Sequence, residues 1–410
     1  MKNIIKMSLV AAVAVAGFSS TVAAKPLEES IKDVDFSGSL RYRYTNGEST
    51  LEKNEYRLIT SVKSKVNDNI TAKVTFQGKG ATGNASATGV QAGDSDAVNA
   101  ANIAEAQFIA KFGEATVIVG KQALATPFAD GSVDGTGGQQ GTGIVAMYPV
   151  GPVTLAAGYY LNTDAQSKNN GIGTVDIGGS NITALGALGA AGPVNYAVWY
   201  ANVSESTLSV NTATNPAAVS NIDAGANAIN VNVDGTFGPV SVEFNYAAMD
   251  YSATNHGGNQ VNADAIDTYS PTQTRVVASF DADVVKLTAG IVSVGQDGGD
   301  VTLGDSDASS NFVMENFDAA TLKDTTAYYL AVKAPVGPVT LGLEHGRTSD
   351  IDGADANGNT SFSETKLSAS YAMSKNFTVS GWITETTGDV LNGTDYSKQG
   401  LNRIEVKYTF

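Results

Sequence analysis

The feature that most constrains this chain is the rhythm of its connections. From Val34 onward apolar residues recur with a period of two rather than 3.6, the signature of strands with one apolar and one polar face. In the segment from Asp35 to Tyr44, Phe36, Leu40, Tyr42 and Tyr44 share one side, and Ser37, Ser39, Arg41 and Arg43 share the other. Residues 70–76, 240–246 and 404–410 repeat the pattern, whereas Ser180 to Ala191 alternates poorly. Short turns fall near residues 67–69, 113–114, 150–152, 191–193, 235–239, 281–283, 335–338 and 374–376. Between them lie long stretches rich in Gly, Asp, Asn, Ser and Thr, near 46–54, 79–99, 122–142, 162–178, 204–222, 251–271, 296–322, 347–361 and 386–400. Eight short and nine long connections join eighteen strands, with sixteen as the nearest alternative, and put both ends of the sheet on the short-turn side. A Gly-Pro pair at Gly151, Gly192, Gly238 and Gly337 opens four of the strands, where proline costs no ladder donor.

Composition removes several classes. The 410 residues carry 25 Lys and Arg against 41 Asp and Glu, a formal net charge of −16, which argues against nucleic acid as a partner. After residue 24 no run reaches the ~20 apolar residues that a spanning helix needs. Residues 1–24 read as a secretory signal peptide: Lys2 and Lys6, the apolar run Leu9 to Gly17, then Val22-Ala23-Ala24 as a cleavage site. Residues 25–33 read as a short periplasmic segment and 34–410 as one barrel. With no cysteine the exported chain has no disulfides, so its stability rests on backbone hydrogen bonds and burial.

An exported sheet with one apolar face needs an apolar cover, and no helical segment is present to supply it. The bilayer remains, and in lipid the sheet must close on itself because unpaired edges are too costly. The fold class expected is therefore all-β, a transmembrane antiparallel barrel with short periplasmic turns and long extracellular loops. Aromatics sort into two girdles, with Tyr42, Tyr56, Tyr200 and Tyr328 toward the upper interface and Phe36, Phe112, Phe280 and Phe410 toward the lower. Eighteen strands leave an aqueous lumen. Its wall is expected to carry the basic residues Arg41, Arg43, Arg57, Lys63 and Lys73, with Glu105, Glu243, Arg275 and Glu344 as further inward positions. The connection 122–142 follows strand five and bears Asp130 and Asp134 with no basic residue beyond Gln122. Bent inward, it would set these carboxylates opposite the basic wall and create a transverse field. The acidic balance favours a weak preference for cations.

The segment from Pro26 to Tyr44 resembles the mature start of the major outer membrane porins of Campylobacter and its relatives. Gly120 to Thr126, followed by Asp130-Gly131, Asp134-Gly135 and Gly141 to Ile144, is similar to the third-loop region of that family. The alternation ending in Tyr408 and Phe410 resembles the terminal strand recognised by the outer-membrane barrel assembly machinery. The resemblance implies a general porin in the cell outer membrane, homotrimeric, passing ions and small hydrophilic solutes by passive diffusion. It implies contact with outer-membrane lipid and lipopolysaccharide, and allows a structural calcium ion but no other cofactor. The alternative is a barrel-anchored surface adhesin or structural outer-membrane protein, which would share the Gly, Asn and Thr richness. No enzyme is expected: without cysteine, the nucleophile-and-base pairs open to the chain depend on His256 or His345. The acidic run from Asp350 to Asn357 breaks the spacing of a calcium-binding EF loop.

Overall fold

A computed structural model describes residues 34–47, 52–83, 100–132, 139–163, 166–167, 175–176, 180–211, 219–255, 270–303, 308–316, 318–319, 322–349, 361–388, 390–391, 394–395 and 400–410. The expected signal peptide 1–24 and the segment 25–33 lie outside them, as do Asp134, His256 and the acidic run 350–357. Eighteen strands form one sheet. The first nine are β1 Val34–Gly47, β2 Lys53–Lys65, β3 Ile70–Gly83, β4 Ala100–Phe112, β5 Ala115–Ala123, β6 Gln140–Val150, β7 Val153–Thr163, β8 Ile182–Ala191 and β9 Val194–Asn211. The second nine are β10 Val219–Phe237, β11 Val240–Asn255, β12 Thr272–Asp281, β13 Lys286–Val294, β14 Thr325–Val336, β15 Val339–Thr348, β16 Phe362–Ser374, β17 Phe377–Gly388 and β18 Leu401–Thr409. Two-residue hairpins at 166–167 with 175–176 and at 390–391 with 394–395 decorate two long connections.

Every strand pairs antiparallel with its sequence neighbours, and β1 pairs with β18 from Ser39↔Thr409 to Gly47↔Leu401, which closes the barrel. The seam is reinforced where Gly38 and Phe410 exchange backbone hydrogen bonds of 2.9 and 3.0 Å, and the Phe36 and Phe410 rings stack 5.6 Å apart. A side chain at Gly38 would collide with the Ile59 carbonyl and the Phe410 ring, so the closure needs glycine there. The Gly-Pro turns have a local cause. Gly151, Gly192, Gly238 and Gly337 sit at φ of 60 to 62°, the left-handed value required of the first central residue in a II′-type hairpin.

Alternation sorts the two faces. Leu40, Tyr42, Leu58, Phe76 and Leu155 point outward and are 44 to 50% exposed, an apolar surface that hydrocarbon covers. Phe36, Phe112, Phe237, Phe280 and Phe410 are outward near the short-turn end. Inward positions are mostly polar on β1 to β4, with Ser39, Arg41, Arg43, Thr45, Arg57, Thr75 and Glu105 each less than a tenth exposed.

On β6 to β11 part of the inner face is apolar. There Val145, Tyr160, Ile182, Ala201, Ala228 and Met249 point into the lumen and are almost completely buried. They are covered by Leu124 and Phe128 from the β5–β6 connection and by Val301 and Leu303 from the β13–β14 connection. The poor alternation of residues 180–191 follows directly: β8 is apolar on its outer face for lipid and on its inner face for packed loops.

Candidate functional site

The site is built from two inward loops and the wall they face. From the third long connection, Leu124, Phe128 and Ala129 pack against β6 to β11, with Phe128 at 0% exposure. The seventh, 295–324, is the inward loop that sequence reasoning missed. Its backbone joins the third loop where Leu303 N donates to Phe128 O at 2.6 Å and Ser310 N to Pro127 O at 2.8 Å. The Gln139 amide donates to the Leu303 carbonyl. Further along, Phe312, Met314, Ala319 and Leu322 pack on Val292, Val294, Ala327 and Phe362 of β13, β14 and β16. The loop tip then reaches β16, where buried Glu364 accepts the backbone N–H of Glu315 at 3.2 Å and of Asn316 at 2.8 Å. Each such bond to a carboxylate contributes about 1.5 to 3 kcal/mol. Glu315 extends the contact to Lys366 at 2.9 Å and Arg403 at 3.6 Å, and Arg403 lies 4.7 Å over the Trp382 ring.

Arg275 ties the arrangement to the wall. Its guanidinium donates to the carbonyls of Asn311 at 2.6 Å and Ser309 at 3.2 Å while pairing with Glu243 at 2.6 Å. Below the third loop, Trp199, Asn232, Asp234, Glu243 and Arg275 help line a cavity of about 660 Å³. Asn230, Asn245, Asn232 and Asp234 hydrogen-bond in series along its wall at 3.1 to 3.2 Å.

Nine strands away around the barrel, the basic residues converge in a way that sequence spacing hides. The register aligns Lys407 with Arg41, Arg41 with Arg57, and Arg57 with Lys79, a level row of four bases on β18, β1, β2 and β3. One level along, Arg43 faces Glu405 on one side and Glu55 on the other, and its Nη2 lies 2.8 Å from Glu405. Lys63 and Lys73 form another cross-strand pair, and Lys73 is 2.5 Å from Glu105, which also accepts from Thr75 at 2.7 Å. Glu344 lies between Lys333 at 3.1 Å and Lys366 at 3.8 Å. Asp130 is on the third loop, where its carboxylate accepts the Ser132 backbone N–H at 2.8 Å. Tyr408 and Phe410 point outward at the short-turn end, their rings 5.9 Å apart.

His345 and Glu344 leave opposite faces of β15. Glu344 is buried in the lumen and His345 is exposed outside, bonded to Thr365 Oγ1 at 2.9 Å, so the two cannot act as a catalytic pair. Among the described residues no cluster of three or more metal-ligating side chains occurs.

A closed eighteen-stranded barrel with an apolar exterior, a charged inner wall and loops folded into its lumen defines an outer-membrane channel of the porin class. The chain belongs to the family described as Campylobacter major outer membrane protein, whose model matches residues 1–410. Solved structures similar in fold include Pseudomonas aeruginosa OpdO, at 12% identity and TM-score 0.68, covering 92% of this chain and 97% of that one. A BenF-like porin from Pseudomonas fluorescens Pf-5 is similar at 14% identity and TM-score 0.67, covering 92% and 99%. Pseudomonas aeruginosa OpdK, solved with vanillate, is similar at 12% identity and TM-score 0.67, with the same coverage of 92% and 99%. No curated protein matches the chain.

Proposed function

We propose that this barrel passes ions and small hydrophilic solutes by passive diffusion, with a weak preference for cations, through a constriction that carries a transverse electric field. The observation that supports this reading most is the level row Lys407, Arg41, Arg57 and Lys79. Like charges on directly opposed cross-strand positions destabilise a sheet, so such a row has a cost that folding alone does not explain. Carboxylates on the far side, Asp234 and Glu243 on the wall and Asp130 on the third loop, complete the field. A solute crossing between them would be turned by its dipole and screened by its charge.

The preference for cations rests on the mouth rather than the wall. The long connections leave one end of the barrel and are rich in Asp and Glu, with only Lys168, Lys323 and Lys398 as basic residues. A mouth of that sign concentrates cations ahead of the constriction. The wall itself is partly neutralised by Glu405 and Glu105. Reversal potentials of the purified protein in planar bilayers under a KCl gradient test this reading. A potential of the sign set by K⁺, shrinking as ionic strength rises, is the expected result, and an anion-selective potential would refute the preference. On this reading the protein is a homotrimer delivered by the barrel assembly machinery through Tyr408 and Phe410, and it needs no catalytic group.

A further inference from the structure

The outer surface of β14 to β17 changes character in register. On its apolar rows Leu343 aligns with Leu367, and Leu367 with Ile383, all 45 to 57% exposed. The next outward row toward the long-loop end is Leu330, His345, Thr365 and Glu385, and the one beyond it is Tyr328, Arg347, Ser363 and Thr387. Arg347 therefore stands outside the barrel, one row above the last outward leucine, Leu330, beside a Tyr at interface height. It is exposed, and among the described residues it has no ion-pair partner. Hydroxyl groups flank it: Ser363 Oγ and Thr387 Oγ1 lie 2.6 Å apart, and Thr365 Oγ1 meets His345 Nδ1 at 2.9 Å. His345, Arg347, Ser361, Ser363 and Thr387 help to line a concavity of about 400 Å³. Glu385, one row below beside Thr365, is the one carboxylate in these two rows.

We infer that Arg347, with His345, Ser363 and Thr387, forms an outward-facing site for the phosphate of an outer-leaflet saccharolipid. A guanidinium matches a phosphate in geometry and charge, and flanking hydroxyls supply further donors. The lipid source follows from position, since His345, Arg347, Ser363 and Thr387 stand on the outer face of the barrel and not in the lumen. Its size suits a phosphorylated sugar headgroup. The inference rests on the outer-membrane barrel reading, and its test separates the two.

Wild type and Arg347→Gln are purified in detergent, and binding of bis-phosphorylated lipid A, dephosphorylated lipid A and inorganic phosphate is measured by native mass spectrometry. Bilayer conductance of both proteins serves as the control for the channel. Wild type is expected to bind the phosphorylated lipid about tenfold more tightly than the variant, the loss of one charge-assisted contact. The dephosphorylated lipid is expected to bind both proteins equally, and inorganic phosphate to leave lipid binding unchanged. Equal binding of the phosphorylated lipid by both proteins would overturn the site, and so would displacement of that lipid by free phosphate. Loss of conductance in both proteins would count against the channel reading and leave the lipid comparison intact.

Discussion

Replacing Phe128 with alanine is expected to release both inward loops at once. The ring is wholly buried among Leu124, Tyr160, Ile182, Met249 and Leu303, side chains drawn from both loops and from the wall. Truncating a buried phenylalanine costs about 3 to 5 kcal/mol, and here the loss falls on the loops, because the barrel ladders do not depend on that ring. The backbone bonds from Leu303 N to Phe128 O and from Ser310 N to Pro127 O would then exchange with water. A local destabilisation of that size raises the open population more than a hundredfold, so protease added from outside should cut within the two loops at least tenfold faster than in wild type. Single-channel currents should become larger and noisier while the folded barrel persists. Unchanged cleavage and unchanged current would mean that the two loops are held independently of this packing.

The second large effect concerns charge. Arg41 and Arg57 are cross-strand neighbours at the centre of the basic row. At ~5 Å and a dielectric constant near 80, one charge is worth ~0.8 kcal/mol to a passing ion, about a fourfold change in its local concentration. Arg41→Gln with Arg57→Gln should therefore raise local K⁺ and lower local Cl⁻ by about fourfold each, and so raise the K⁺ over Cl⁻ permeability ratio by up to about sixteenfold for each charge removed at 0.01 M salt, and by less at 1 M, where the screening length falls to ~3 Å. Because the β1–β2 ladder is made by backbone groups and not by these side chains, the variant should keep its barrel and lose the field. A ratio unchanged at low salt would mean that ions pass beyond the reach of this wall.

The barrel was legible because its information is local. Period-two alternation, glycine at five of the eight tight turns and the alternation of short with long connections depend on neighbouring residues alone, and they set the strand count and both faces. The row Lys407, Arg41, Arg57 and Lys79 was only partly legible. Arg41 and Arg57 declare an inward face by alternation, but the height at which Lys407 meets Arg41 depends on closure between the two ends of the sheet. The inward course of residues 295–324 left a fainter trace. Its apolar residues Val301, Leu303, Phe312 and Leu322 stand in a Gly and Asp rich stretch that reads as a solvated loop, and the clusters they join hold buried residues of nine strands. The signal was present on those partners instead: β8 and its neighbours are apolar on both faces, which a strand between lipid and water has no reason to be. Glu364 is a similar case, since alternation points it inward but only the loop tip explains why a carboxylate is fully buried there.

Thiol reactivity tests the central claim most directly, because the chain has no cysteine of its own. Lys63 and Leu58 lie on the same strand, both exposed, and alternation sends Lys63 into the lumen and Leu58 to the outside. Lys63→Cys and Leu58→Cys proteins in bilayers would be treated with cationic and anionic methanethiosulfonates while current is recorded. Charged reagents should modify Lys63→Cys within seconds and shift its ion selectivity in opposite directions according to reagent sign, while Leu58→Cys stays silent and yields only to a lipid-soluble maleimide. Rapid modification of Leu58→Cys by the charged reagents, with Lys63→Cys inert, would place the water on the wrong side of the sheet and contradict the account.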